Sequence, residues 1–211
     1  EGIVVNPTIF YDCPMFCNTY KDSGIIYHSH GGGLFVYQFS HAFLDFRGKK
    51  DRRGIDWFEN SVRASKANRQ YCIDNPENLI TYGENAWGMT ACSTPTGYSG
   101  ALGGLPCFGN KQIQPDGTIP PCGPIGSIVF TPKESIEAMN FFAKDEKLWG
   151  EYGFIDAYNL DVTPAWYSKE YIGIDKGISI LMIENYRSGL IWKLTNQNKY
   201  MQKAFQLLEI Q

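Results

Sequence analysis

From Leu34 onward, apolar residues fall at Phe35, Phe39, Ala42, Phe43 and Phe46. Steps of three and four mark one face of an α-helix, and the pattern ends near Gly48. Gln38, His41 and Asp45 recur at the same spacing, so this helix is expected to turn a polar stripe to a lumen and its Phe residues outward. Asp56-Trp57-Phe58-Glu59 has the form of an N-cap carboxylate with a glutamate three residues on, which predicts a second helix to about Ile73. Glu59 and Arg63 are then placed to pair across one turn. Thr131-Pro132-Lys133-Glu134 predicts a third helix start, with Thr as cap and Pro in the first turn, running to about Lys144. Residues 178–195 read as one long, mostly buried helix and 200–208 as a short terminal one.

Between these periodic segments the chain changes character. Residues 1–31 are broken by Pro7, Pro14 and Gly24 and read as a lead-in or loop. Over 75–130, Asn, Gly, Pro, Ser and Thr dominate, which predicts functional loops with one or two short helices. Long helices alternating with aromatic, Gly-rich loops favour an all-α architecture over a βαβ one, organised as one domain, 1–211.

Composition narrows the possible partners. The net charge of −3 comes from scattered residues, so no electrostatic footprint for nucleic acid or an anionic membrane is present. No apolar stretch is long enough for a membrane span, and no targeting segment stands in the chain. Aromatic residues make up 15% of the chain, many beside Gly, Asn or Asp, which suits surfaces that stack flat rings and hydrogen-bond their edges. A neutral substrate or a protein partner fits this balance. The cysteines at 13, 17, 72, 92, 107 and 122 lack Cys-x-x-Cys spacing. Cys13 and Cys17 are near enough to bridge, but free thiols are favoured in a chain of this size. His28-x-His30 with His41 lacks the spacing of a zinc site, Gly31-Gly32-Gly33 lacks the context of a phosphate loop, and Gly-x-Ser-x-Gly is absent. No metal and no cofactor is expected.

Six runs carry a resemblance that spans nearly the whole chain: QFSHAFLDFR at 38–47, YGENAWG at 82–88, DGTIPP at 116–121, YGFIDAYN at 152–159, GIDKG at 173–177 and IENYRSG at 183–189. In this order they resemble the glucoamylase-like glycoside hydrolase domain of bacterial endo-β-1,2-glucanases and cyclic β-1,2-glucan synthases. The resemblance implies an (α/α)6 toroid of twelve helices with the active site in the barrel mouth. The helices this chain can hold make about half of that, so it resembles the C-terminal half, with further acidic residues in an N-terminal half of the same barrel. The implied activity is hydrolysis of a β-linked glucan, of β-1,2 type, by carboxylate acid–base chemistry. Two alternatives stand beside it: a carbohydrate-binding or scaffold half without the proton donor, and a transglycosylase. A periplasmic or extracellular parent protein is expected.

Glycoside hydrolysis needs one carboxyl to protonate the leaving oxygen and a second to act as base or nucleophile. Glu84 is the first candidate, beside Asn85 and Trp87, where an aromatic wall would raise its pKa and stack a sugar. A loop carboxylate capping a short helix is the plainer reading. Asp45 is the second candidate, with Gln38, His41 and Arg47 as sugar-binding neighbours. His41 and Asp45, four apart, equally fit a buried structural pair. Asp175 is the third, placed just before the 178–195 helix, whose N-terminus favours its charge. Asp116, Asp156 and Asp175 all lie near glycines and also suit turns. Tyr152, Asp156, Trp166 and Tyr167, together with Tyr98 and Trp149, are the remaining loop candidates for sugar subsites. Asp56 and Glu59 are explained by capping, and Glu184 and Arg187 by an internal pair.

Overall fold

A computed structural model describes residues 6, 8–28, 31–108 and 114–211. His30 and the side chain of His28 lie outside the described residues, so the His28-x-His30 spacing is not placed. After a short helix α1 (Ile9–Asp12), a hairpin of β1 (Phe16–Asn18) and β2 (Ile26–His28) leads into α2 (Phe35–Phe43) and α3 (Trp57–Asp74).

Helix α2 ends at Phe43, well before Gly48, because Leu44 turns extended and the Asp45 carboxylate accepts the Arg47 N–H at 3.1 Å. That local turn competes with the next helical hydrogen bond. Helix α3 starts as its cap predicts: Asp56 accepts the Glu59 N–H at 2.8 Å, and Arg63 meets Glu59 at 3.0 Å. It ends on Asn75, which sits left-handed at φ 43°.

The loop region contains more order than expected. Strands β3 (Cys92–Thr94) and β4 (Gly97–Ser99) form a hairpin. Strand β5 (Thr118–Ile119) leads into the short helix α4 (Cys122–Gly126). Helix α5 (Pro132–Phe142) follows, two residues shorter than expected. The Thr131 hydroxyl does not cap it but reaches back to the Ser127 carbonyl at 3.4 Å. Strands β6 (Trp149–Gly150) and β7 (Gly153–Phe154) pair with each other, whereas β8 (Tyr158–Asn159) lies between β5 and β9 (Trp166–Tyr167) in a three-stranded antiparallel sheet. The all-α expectation is therefore corrected to a helix-rich fold with small antiparallel sheets. Strands of two or three residues are too short to carry a period-two signal for a sequence reading to find.

The expected long helix is two. Helix α6 (Gly173–Arg187) begins five residues early, taking in Asp175, and ends where Gly189 adopts φ 65° before α7 (Leu190–Asn196). The Ser188 hydroxyl donates to Glu184 at 2.5 Å and accepts the Leu190 N–H at 3.2 Å, so Glu184 is engaged by Ser188 rather than Arg187. Helix α8 (Lys199–Leu207) closes the chain.

Helix α6 packs on α4 and α2, and α5 also packs on α4. The main core gathers Trp87, Tyr71, Met89, Phe142 and Tyr158. A second cluster joins Ala42, Ile178 and Met182 across α2 and α6. The segment holding Trp87 crosses the start of α4 at van der Waals limits. A Cβ on Gly123 would fall 1.9 Å from the Gly88 carbonyl oxygen, and Gly88 itself has φ 105°. Both positions require glycine.

Candidate functional site

The carboxyls of Asp175 and Asp156 meet where the first turn of α6 faces the loop between β7 and β8. Both residues are 2% exposed. Asp156 is fixed from two sides: one carboxylate oxygen accepts the Ser93 N–H from β3 at 2.8 Å, and its own N–H donates to the Glu170 carbonyl at 3.3 Å. The Ser93 hydroxyl also donates to the Glu170 carboxylate at 2.7 Å, closing the brace. The other Asp156 oxygen and both Asp175 oxygens receive no donor from another residue among those described. Asp175 and Asp156 instead lie side by side on the wall of one cavity, close enough for each to act on the other's charge. Burial first, then the neighbouring carboxyl and negative charge of Asp156, push Asp175 up to about 8, against a smaller opposing pull from Lys176.

Both aspartates line a cavity of about 250 Å³, with Trp149, Tyr152, Phe154 and Ile180 on its walls. Trp149 and Tyr152 are 60% and 65% exposed, so their rings form an open aromatic rim. Each is braced edge-on, Trp149 against Phe154 at 4.8 Å and Tyr152 against Tyr171 at 5.3 Å between centroids. Lys176 donates to the Phe154 carbonyl and lies 5.0 Å above the Tyr171 ring. Burial lowers its pKa. An enclosed carboxyl beneath exposed flat rings is an arrangement that can hold a proton and stack a sugar.

The other expected residues are placed elsewhere. Glu84 is solvent-exposed and paired with Arg69 of α3 at 3.0 Å, and it does not line this cavity. Asn85 beside it is half-buried, with its side-chain oxygen enclosed and unpartnered among the described residues. Trp87 is fully buried in the main core and presents no ring face for stacking. Gln38 is a buried brace rather than a lumen residue: its amide donates to the Gly123 carbonyl and the Ser127 hydroxyl, both at 2.8 Å.

His41 bonds Ser61 of α3 at 3.0 Å through Nε2, and burial pulls its pKa down to about 4. It lines a separate apolar cavity of about 460 Å³ with Tyr37, Phe46, Trp57 and Phe205. The expected His41–Asp45 pair does not form, because the helix stops between them. Asp45 takes a two-pronged hydrogen bond from the Arg47 guanidinium, 2.9 Å on each arm. Burial disfavours its ionised form, but the hydrogen bonds and charge of Arg47 outweigh that and hold the carboxyl below its ordinary range. Arg47 in turn covers the Trp192 ring at 4.2 Å. Trp166 is half-buried against Cys92, Leu102 and Ala157. Tyr167 donates to Asp145 at 2.9 Å and stacks on Tyr158. Asp116 accepts the Thr118 N–H at 2.8 Å and serves its turn.

Of the expected site residues, then, Asp156, Asp175, Trp149 and Tyr152 come together in one cavity. Lys176, which stands within the GIDKG run, lines the cavity too, and Ser93 and Glu170 brace Asp156 beside it, with no spacing or dipeptide signal marking those two in advance. Cys13 and Cys17 are exposed and unbridged. Among the described residues no cluster of three or more His, Cys, Asp or Glu is placed to hold a metal, and no helix is long and apolar enough to cross a membrane.

Fold and site together define a helix-rich domain with an aromatic-rimmed, carboxyl-bearing cavity. The chain belongs to the glucoamylase-like family described as "Putative glucoamylase", which it matches over residues 10–199. It is 35% identical over 195 residues to an exo β-1,2-glucooligosaccharide sophorohydrolase (non-reducing end) of Parabacteroides distasonis, covering 91% of this chain and 26% of that protein. An endo-β-1,2-glucanase from Chitinophaga pinensis, solved with sophorotriose and glucose, superimposes with a TM-score of 0.82 at 32% identity, over 96% of this chain and 48% of that one. A glucoamylase-type structure from Bacteroides uniformis gives 0.84 at 36% identity, over 98% and 50%. The chain thus spans about half the length of these solved relatives and about a quarter of the sophorohydrolase.

Proposed function

We propose that this chain is the C-terminal half of an (α/α)6 toroid that hydrolyses a β-linked glucan of β-1,2 type, and that Asp175 is its proton-donating carboxyl. The observation that carries this reading is the placement of the Asp175 carboxyl, buried and without a donor among the described residues on the wall of an aromatic-rimmed cavity, where burial pushes its pKa up. A glycosidic oxygen needs such a donor at neutral pH.

Asp156 is assigned no role as the second catalytic carboxylate, because it is enclosed beside Asp175 and committed to the Ser93 N–H. The second carboxylate that the reaction needs is proposed to lie in the other half of the toroid, since this chain covers about half of its solved relatives. Exposed apolar residues support a missing neighbour: Ile136 and Phe141 on α5, Ile174 and Ile180 on α6, Leu190 and Leu194 on α7. Glu84 remains a proposal of second rank, because Arg69 engages it outside the cavity.

The test is reducing-sugar release by the complete protein from β-1,2-glucan and from starch, with Asp175→Asn and Glu84→Gln compared. Loss with Asp175→Asn on the β-glucan supports the reading, whereas activity confined to starch defeats the linkage assignment. A scaffold role gains if neither substitution changes turnover.

A further inference from the structure

Three enclosed carboxylate oxygens with no outside donor pose a physical problem. Were both Asp156 and Asp175 ionised, two buried negative charges would lie side by side with no hydrogen-bond donor from the described residues on three of their four oxygens. A single proton between the carboxyls removes one charge and supplies the missing hydrogen bond. The Ser93 N–H already stabilises charge on Asp156, which leaves the proton on Asp175. From this geometry we infer that Asp156 is a positioning residue: it shares one proton with Asp175, keeps that proton on Asp175, and orients it for delivery into the cavity. The inference rests on the proposed role of Asp175 in glycoside hydrolysis.

The groups around the pair are consistent with one shared proton. Among the described residues Lys176 is the cation that acts on Asp175, and its ammonium is turned to the Phe154 carbonyl. Cys122, Cys92 and Tyr98 also sense the charge of the pair. All three are neutral when protonated, and burial pushes each toward that form. Glu170 lies one step further out, joined through Ser93 rather than to Asp175. On proton transfer the Asp175 O–H bond breaks toward the glycosidic oxygen, and the remaining carboxylate is left beside ionised Asp156. That repulsion favours rapid reprotonation from water.

Infrared spectroscopy on the complete protein at pH 6.5 tests this directly, by looking for the carbonyl stretch of a protonated carboxyl when surface carboxyls are ionised. The expected result is one such band, lost in Asp156→Asn and in Asp175→Asn and kept in Glu209→Gln, whose carboxylate is at the surface. The Asp156→Asn amide still accepts from Ser93 and now donates to an ionised Asp175. The alkaline limb of kcat/KM should therefore move at least two pH units toward acid. A missing band in the wild-type protein overturns the inference whatever the activity. An unmoved alkaline limb in a folded Asp156→Asn protein also overturns it. If the band behaves as expected but Asp175→Asn retains full turnover, the shared proton stands and the hydrolytic role of Asp175 falls. Should the substituted proteins fail to fold, titrating the wild-type band from pH 6 to 10 keeps the test decisive: it must disappear near pH 8.

Discussion

Asp175 and Asp156 are both buried on the wall of one cavity, and neither Asp175 oxygen receives a donor among the described residues. The folded-state pKa of Asp175 is raised to about 8, while an unfolded aspartate titrates near about 3.9. The stabilising effect of protonated Asp175 is complete below the unfolded value and is lost as pH rises through the folded one. Chemical denaturation of the complete protein should therefore show this group's contribution falling between pH 4 and 8. Asp175→Asn should flatten that window and be the more stable protein at pH 8. An unchanged pH dependence in the variant would contradict the assignment.

His41 acts with the opposite sign. Burial lowers it to about 4 from an ordinary value near 6.5, so its neutral form stabilises the fold above the unfolded pKa, and the contribution is lost as pH falls through 4. Replacing it with Asn should reduce acid sensitivity between pH 6.5 and 4 and leave stability at pH 8 to 9 with the same pH slope as the wild type. Denaturation midpoints across that range measure it.

Gln38 braces α2 to α4 through the Gly123 carbonyl and the Ser127 hydroxyl. Gln38→Leu removes both donors and leaves a buried carbonyl unpaired, which costs about 1–3 kcal/mol. The loss should appear in urea unfolding without a change in the pH limbs of activity, since the side chain does not touch the Asp175 cavity.

Gly123→Ala should be more severe. The new Cβ would meet a backbone oxygen at 1.9 Å, which no rotamer change relieves, so a loss of about 3 kcal/mol or more is expected. Glu84→Gln is the contrasting case: it breaks an exposed pair with Arg69, and a change of at most about 1 kcal/mol is expected from the same unfolding measurement.

These positions also mark what the sequence made legible. The cap at Asp56 and the pairing of Glu59 with Arg63 were readable because helix starts are local chemistry. The polar stripe of Gln38, His41 and Asp45 was recognised as a pattern but misplaced. Helical spacing tells which residues share a face, not whether that face meets a lumen or another helix, and the Asx turn at Asp45 cut the stripe short. The break at Gly189 was hidden because α6 and α7 keep apolar residues on both sides of it. Asp156 and Asp175 each looked like a turn former beside glycine. Their meaning depends on a contact across 19 positions and on Ser93 from a third segment, and no local pattern encodes that. Motif resemblance placed the chain in its family, whereas the stacking role expected of Trp87 failed against its complete burial.

The most direct test of the account is kcat for β-1,2-gluco-oligosaccharide hydrolysis by the complete protein, wild type against Asp175→Asn, at pH 6.5. Loss of a general acid predicts a fall of about 10²–10⁴-fold with the fold intact by circular dichroism. Turnover within a few-fold of the wild type in a folded Asp175→Asn protein would contradict the assignment of Asp175 as the proton donor.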